Sequence, residues 1–173
     1  MKALAAAWFT LCLIAMASHA QTQQRPSQQT VEPSSGKDMC SALTPADFTK
    51  AGVPVTALQE ANVDDTNSAY CVYQSTAGKV EFDVFFPAGD TPDAAKGTER
   101  TSRAEIGGKF EIVSVTGADS AQATAAPVAG KPASACIVVR KGKAVFDIGI
   151  PQGDKARQQL IDLAQVVLSR LKS

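Results

Sequence analysis

The segment Lys79-Val80-Glu81-Phe82-Asp83-Val84-Phe85-Phe86-Pro87 returns later in the chain as Lys143-Ala144-Val145-Phe146-Asp147-Ile148-Gly149-Ile150-Pro151. Apolar residues alternate in both copies: Val80, Phe82, Val84 and Phe86 share one face, as do Ala144, Phe146, Ile148 and Ile150. A period of two marks a half-buried strand. Upstream, Ser68-Ala69-Tyr70-Cys71-Val72-Tyr73-Gln74 matches Pro132-Ala133-Ser134-Ala135-Cys136-Ile137-Val138-Val139-Arg140; downstream, Gly89-Asp90 matches Gly153-Asp154, each opening a helical stretch. The first hairpin loop is Ser75-Thr76-Ala77-Gly78 and the second only Lys141-Gly142. The offset between copies changes accordingly, from 66 before the turn (Tyr70 to Cys136) to 64 after it (Phe82 to Phe146). The expected fold is α+β, an antiparallel sheet built from two related hairpin-helix units with helices packed against it.

The chain opens with Lys2, an apolar run over residues 3–17 and then Ser18-His19-Ala20, the pattern of a secretory signal peptide cut before Gln21. Such a run is short for a membrane span, and no membrane insertion is expected after cleavage. Residues 21–36 are rich in Gln, Ser and Pro with Val31 as their one large apolar residue, and read as a disordered tail. Residues 37–173 are of a size for a single α+β domain with an internal pseudo-repeat. Cleavage would remove His19, the one histidine, so Ser-His and Cys-His nucleophile pairs and the common His-containing metal sites drop out. It would also remove Lys2, leaving sixteen basic against seventeen acidic side chains, a net charge of −1. No basic block marks a nucleic-acid surface, and no cofactor is expected.

Cys40, Cys71 and Cys136 survive processing, which suits one disulfide and one thiol in an oxidising compartment. Cys40 with Cys71 is the preferred pair, because it ties the entry to the first helix to the first hairpin strand. The repeat aligns Cys71 with Ile137 and Cys136 with Tyr70, which puts Cys71 and Cys136 on opposite faces and weighs against their pairing. Cys136 is expected as a buried core thiol, its rival a reactive or intermolecular one.

Thr44, Pro45 and Asp47 read as cap, first helical residue and capping-box acid of a helix ended by Gly52, with Leu43 and Phe48 as a staple. Residues 53–63 read as extended, and Asp64-Asp65-Thr66-Asn67 as a polar turn without the spacing of a calcium loop. Thr91-Pro92-Asp93 starts a weak helix expected to bend or stop near Gly97. Residues 109–116 read as a strand, and residues 117–132 as a long loop with a short strand at residues 122–126. A final helix is expected to start at Asp154 and to bury Leu160, Ala164, Val167, Leu168 and Leu171.

The motif Cys40-Ser41-Ala42-Leu43-Thr44-Pro45-Ala46-Asp47 followed by Cys71-Val72-Tyr73 resembles a group of small secreted bacterial proteins and lipoproteins of unknown function. Their domains open with Cys-x-Leu-Leu-Thr and an acidic residue and carry a later Cys-x-Tyr; Ala42 stands here where that pattern has Leu. The resemblance implies an extracytoplasmic α+β domain with a Cys40–Cys71 bridge. It supplies no catalytic residues.

What remains is a secreted or periplasmic, non-catalytic binding or protein-interaction domain, its partner an extracytoplasmic protein or small ligand. Tyr70, Tyr73, Asp83, Phe85 and Asp147 are the candidate surface residues. The alternative is a small cell-envelope hydrolase working through carboxylates, because Asp83 and Asp147 hold equivalent repeat positions. Mid-strand, opposite the larger apolar row, both are expected as ordinary exposed carboxylates. The exported chain is expected to begin near Gln21, which intact-mass measurement of secreted protein checks.

Overall fold

The structure, a computed structural model, describes residues 39–64, 68–86, 91–126 and 134–171; the expected signal peptide and tail lie outside them. A 3-10 turn (Met39–Ala42) leads into α1 (Pro45–Lys50), then β1 (Val55–Asp64), β2 (Ser68–Ser75), β3 (Val80–Phe85), α2 (Pro92–Ile106), β4 (Phe110–Ile112), β5 (Ser120–Thr124), β6 (Ser134–Lys141), β7 (Ala144–Pro151) and α3 (Ala156–Arg170). The seven strands form one sheet in the order β1-β2-β3-β7-β6-β5-β4, antiparallel throughout. The α+β expectation therefore holds. Among the described residues no helix is long and apolar enough to cross a membrane.

Alternation divides the sheet into two chemically different faces. Cys71, Phe82, Ile148 and Ile137 are successive cross-strand neighbours on the first face, all fully buried. The 3-10 turn, α1 and α3 cover that face, with Leu160, Leu163, Ala164 and Val167 completing the main core. One residue along each strand, Tyr70, Asp83, Asp147 and Val138 make the corresponding row on the second face. Here α2 lies over β6 and β7, where Ala95, Val138 and Val145 form a small second cluster joined by Ile106 and Phe110. The helices after the two hairpins thus pack on opposite faces of the same two strands. The sequence likeness is carried by the hairpins and not by a common hairpin-helix packing.

The first helix obeys its local signals. Thr44 Oγ1 accepts from Asp47 N while Asp47 Oδ2 accepts from Thr44 N, a complete capping box, with Pro45 in the first turn. The disulfide joins Cys40 to Cys71 across a sequence separation of 31, with Cα atoms 5.6 Å apart. Tyr73, two residues on and on the same face, donates its hydroxyl to the carbonyls of Leu43 (2.7 Å) and Cys40 (3.2 Å) and packs its ring on Phe48. Tyr73 is 2% exposed, so its expected place on the surface is corrected: it is a core residue. Arg170 at the end of α3 closes this corner, donating to both carboxylate oxygens of Asp47 and to the Ala42 carbonyl.

Four local expectations are also corrected. The second helix neither bends nor stops at Gly97 but runs fifteen residues, because tertiary anchors outweigh its weak propensity. Buried Glu99 accepts from Arg103, Ser120, Gln122 and Arg140 and pins the helix to the sheet. The strand read at residues 109–116 shortens to Phe110–Ile112, and the one read at residues 122–126 shifts to Ser120–Thr124, where it pairs with both β4 and β6. The final helix begins at Ala156, two residues later than Asp154. The polar turn after Asp64 lies outside the described residues.

In the loop-entropy account, a bridge of this span contributes about 3–4 kcal/mol by restricting the unfolded chain. Cys40→Ser is expected to lower unfolding free energy by about that amount while leaving the α+β fold intact. Urea denaturation followed by circular dichroism checks both points.

Candidate functional site: a carboxyl pair on the second sheet face

The β3–β7 register, Glu81 with Gly149, Phe82 with Ile148, Asp83 with Asp147, places Asp83 directly opposite Asp147, the residue that matches it in the sequence likeness. The carboxyl groups hydrogen-bond to one another. Side by side in a partly buried seam, both cannot ionise without strong repulsion, so the pair retains a proton. Burial is the largest influence on Asp83, followed by the charges of Asp147 and Glu81, and together they push it up to about 8. Burial also raises Asp147, to about 6, outweighing the hydrogen bonds from Ser102 and Asp83 that favour its ionised form. At neutral pH the pair therefore shares a retained proton across the seam.

Ser102 reaches down from α2, its Oγ donating to Asp147 Oδ2 at 2.7 Å. The helix is held in place for this contact by Glu99, one turn earlier. Burial would raise Glu99, but the hydrogen bonds from Ser120, Arg103 and Arg140 prevail and hold its carboxyl below the usual range. Toward β2 the pair meets Tyr70, the direct neighbour of Asp83. Tyr70 Oη donates to Glu81 Oε1 at 2.7 Å, Lys79 pairs with Glu81, and the Lys79 ammonium stands 5.9 Å over the Tyr70 ring. The hydrogen bond to Glu81 raises the pKa of both Tyr70 and Lys79. Phe85, two residues from Asp83, lies half-buried on this same face.

The structure thus brings together four of the five expected surface residues, Tyr70, Asp83, Phe85 and Asp147, and removes Tyr73 to the core. It corrects the expected environment of the two aspartates. They lie on adjacent inner strands, where they touch each other and guard no sheet edge. Reasoning from the sequence missed Ser102, Glu99 and Glu81. A signal for two of them was present, since Ala95, Glu99, Ser102 and Ile106 recur at the spacing of one helical face. Cys136 is buried and takes no part in the disulfide, in keeping with a core thiol.

Two surface cavities lie away from the pair. One of about 460 Å³ runs between α1 and α3 past Asp47, Lys50, Gln165 and Arg170; one of about 290 Å³ lies beside Thr124, Gln152 and Arg157. Among the described residues no group of His, Cys, Asp and Glu is arranged to hold a metal ion. The chain matches no protein-family model, and no curated protein or solved structure shows significant similarity to it.

The pair leaves a signature in stability. Unfolded, each aspartate ionises near 3.8; folded, the pair keeps its proton to higher pH. The folded state then binds more protons than the unfolded one, so stability falls as pH rises through this window, by about 1.4 kcal/mol per unit for each retained proton. Above about 8 the decline ends. Asp47 acts in the opposite sense. Burial would raise it, but Arg170 and Thr44 hold it to about 2, so its contribution is present above 3.8 and lost as pH falls toward 2. Stability is expected to peak in mildly acidic solution. Asp83→Asn, which keeps a donor to Asp147 and removes the charge, is expected to flatten the decline above the peak, as denaturant titrations at a series of pH values measure.

Proposed function

We propose that the chain is an exported, cofactor-free recognition domain that binds a protein or small ligand outside the cytoplasm through the open part of its second sheet face. One observation carries this reading. The helix α2 covers β6 and β7, and over β2 and β3 half-buried Tyr70, Val72 and Phe85 stand beside a polarised carboxyl pair. Aromatic and apolar surface next to fixed hydrogen-bonding groups is the composition of a contact patch. Export is supported by the signal-like residues 1–20 and by a disulfide that belongs in an oxidising compartment. The resemblance to small secreted proteins points the same way. Duplication of an ancestral hairpin is the proposed origin of the pair, since the aspartates keep equivalent positions across the β3–β7 seam.

A second reading, a hydrolase working through carboxylates, is favoured by the pair itself. A protonated and an ionised carboxyl side by side are an acid and a base in contact. The reading has less support because Ser102 already occupies Asp147 and the pair lies on a sheet face away from both cavities.

Immobilised mature protein from residue 21 onward is expected to retain a specific component of an envelope extract. Tyr70→Ala combined with Phe85→Ala, or reduction and alkylation of the protein, is expected to release it. Retention unchanged by the two substitutions would refute this surface. Turnover of an envelope polymer abolished by Asp83→Asn would establish the second reading in its place.

A further inference from the structure

We infer that the β1 edge of the sheet is the docking strand for an extended basic segment of another protein, which adds to it as an eighth strand with Lys or Arg at alternate positions. The inference deepens the recognition reading above and rests on it. A sheet edge presents backbone N–H and C=O groups without partners, and folds ordinarily blunt it by shortening or covering the strand. The two edges of this sheet differ. At one, β4 is three residues long and its Glu111 is paired with Arg157 of α3. At the other, β1 runs ten residues and, among the described residues, pairs with β2 alone.

The open stretch is the second half of β1. Thr49 Oγ1 of α1 donates to the Val55 carbonyl at the start of the strand, and the register is irregular between Val55 and Ala57 and again between Leu58 and Glu60. From Glu60 onward it is regular: Glu60 with Val72, Ala61 with Cys71, Asn62 with Tyr70 and Val63 with Ala69. Glu60, Ala61 and Asn62 are exposed. Alternate residues along such a run point N–H and C=O away from the sheet, where an incoming strand takes them up.

Charge selects the occupant. Strands β1, β2 and β3 contain no Lys or Arg. On the second face Glu60 begins an acidic stretch that continues through Glu81 and the Asp83–Asp147 pair, and Lys79 is already committed to Glu81. Glu60 has no ion-pair partner among the described residues. On the first face β1 offers Leu58, 39% exposed, then exposed Ala61 and half-buried Val63 at the rim of the main core. An added strand that alternates basic and apolar residues suits both faces at once, its cations beside Glu60 and its apolar side chains extending the core past Val63. A second copy of β1 suits them less well, because it brings another Glu60 and no base.

The probe is a heptapeptide alternating Lys and Val, its Kd for the protein as exported measured by fluorescence anisotropy and its position by amide hydrogen exchange. With peptide at about ten times its Kd, the outward-pointing amides within residues 60–63 are expected to gain about tenfold protection, and those of β4 none. Glu60→Lys is expected to weaken binding about tenfold, as is exchange of the peptide's Lys for Glu. N-methylation of the peptide backbone, which removes its donors and keeps its charge, is expected to abolish binding. Undiminished binding of the N-methylated peptide, protection gained away from β1, or a protein that sediments as a dimer with these amides already protected overturns the inference. An envelope component released by Tyr70→Ala with Phe85→Ala, while the peptide leaves β1 unprotected, refutes the edge and leaves the recognition face standing. A component indifferent to those two substitutions but lost in Glu60→Lys refutes the patch and upholds the edge.

Discussion

The pairing of β3 with β7 is the constraint on which the rest of the molecule depends. It joins the two hairpins into one sheet, and its register assigns every residue of both strands to a face. On the first face it sets Phe82 beside Ile148 in the main core, and on the second it forces Asp83 against Asp147. A slip of one residue would exchange the faces, burying the carboxyls in the core and exposing the phenylalanines. The core therefore determines the register, and the register creates the carboxyl pair. The pair's destabilising tendency at neutral pH is tolerated because Phe82, Phe146, Ile148 and Ile150 are all fully buried on the opposite side.

The residues of the Cys40–Asp47 and Cys71–Tyr73 segments meet at one corner of the fold. Cys40 and Cys71 bond the N-terminal turn to β2, Tyr73 holds that turn's carbonyls, and Asp47 joins its own helix cap to Arg170 of α3. Each side chain has a structural partner that accounts for its identity. A pattern made of such residues identifies a way of fastening a helix to a sheet, and says nothing about chemistry. The proposed recognition surface lies on the other face, outside the pattern.

The two long helices show how similar hairpins can be followed by different packing. Helix α3 turns an apolar face to the main core, with Leu160, Leu163 and Val167 fully buried, and adds polar contacts from Gln159 to the Gly52 carbonyl and from Arg170 to Asp47. Helix α2 has little apolar surface to offer and is held instead by Glu99 and Ser102.

The residues by themselves determined the strands of both hairpins, the difference in loop length, the capped first helix, and the faces of Cys71 and Cys136, because each of these follows from local periodicity or turn chemistry. They also placed Asp83 and Asp147 at equivalent positions. Only the tertiary structure decided that β3 and β7 are neighbours, that Tyr73 points inward to the Leu43 carbonyl, that α2 crosses to β6 and β7, and that Glu99 and Ser102 hold it there. Those outcomes rest on contacts between residues distant in the chain, Ser102 with Asp147 and Glu99 with Arg140 among them, and local pattern has no means of ranking such contacts. An aspartate on a strand reads as exposed until its neighbour is known, and here the neighbour is a second aspartate.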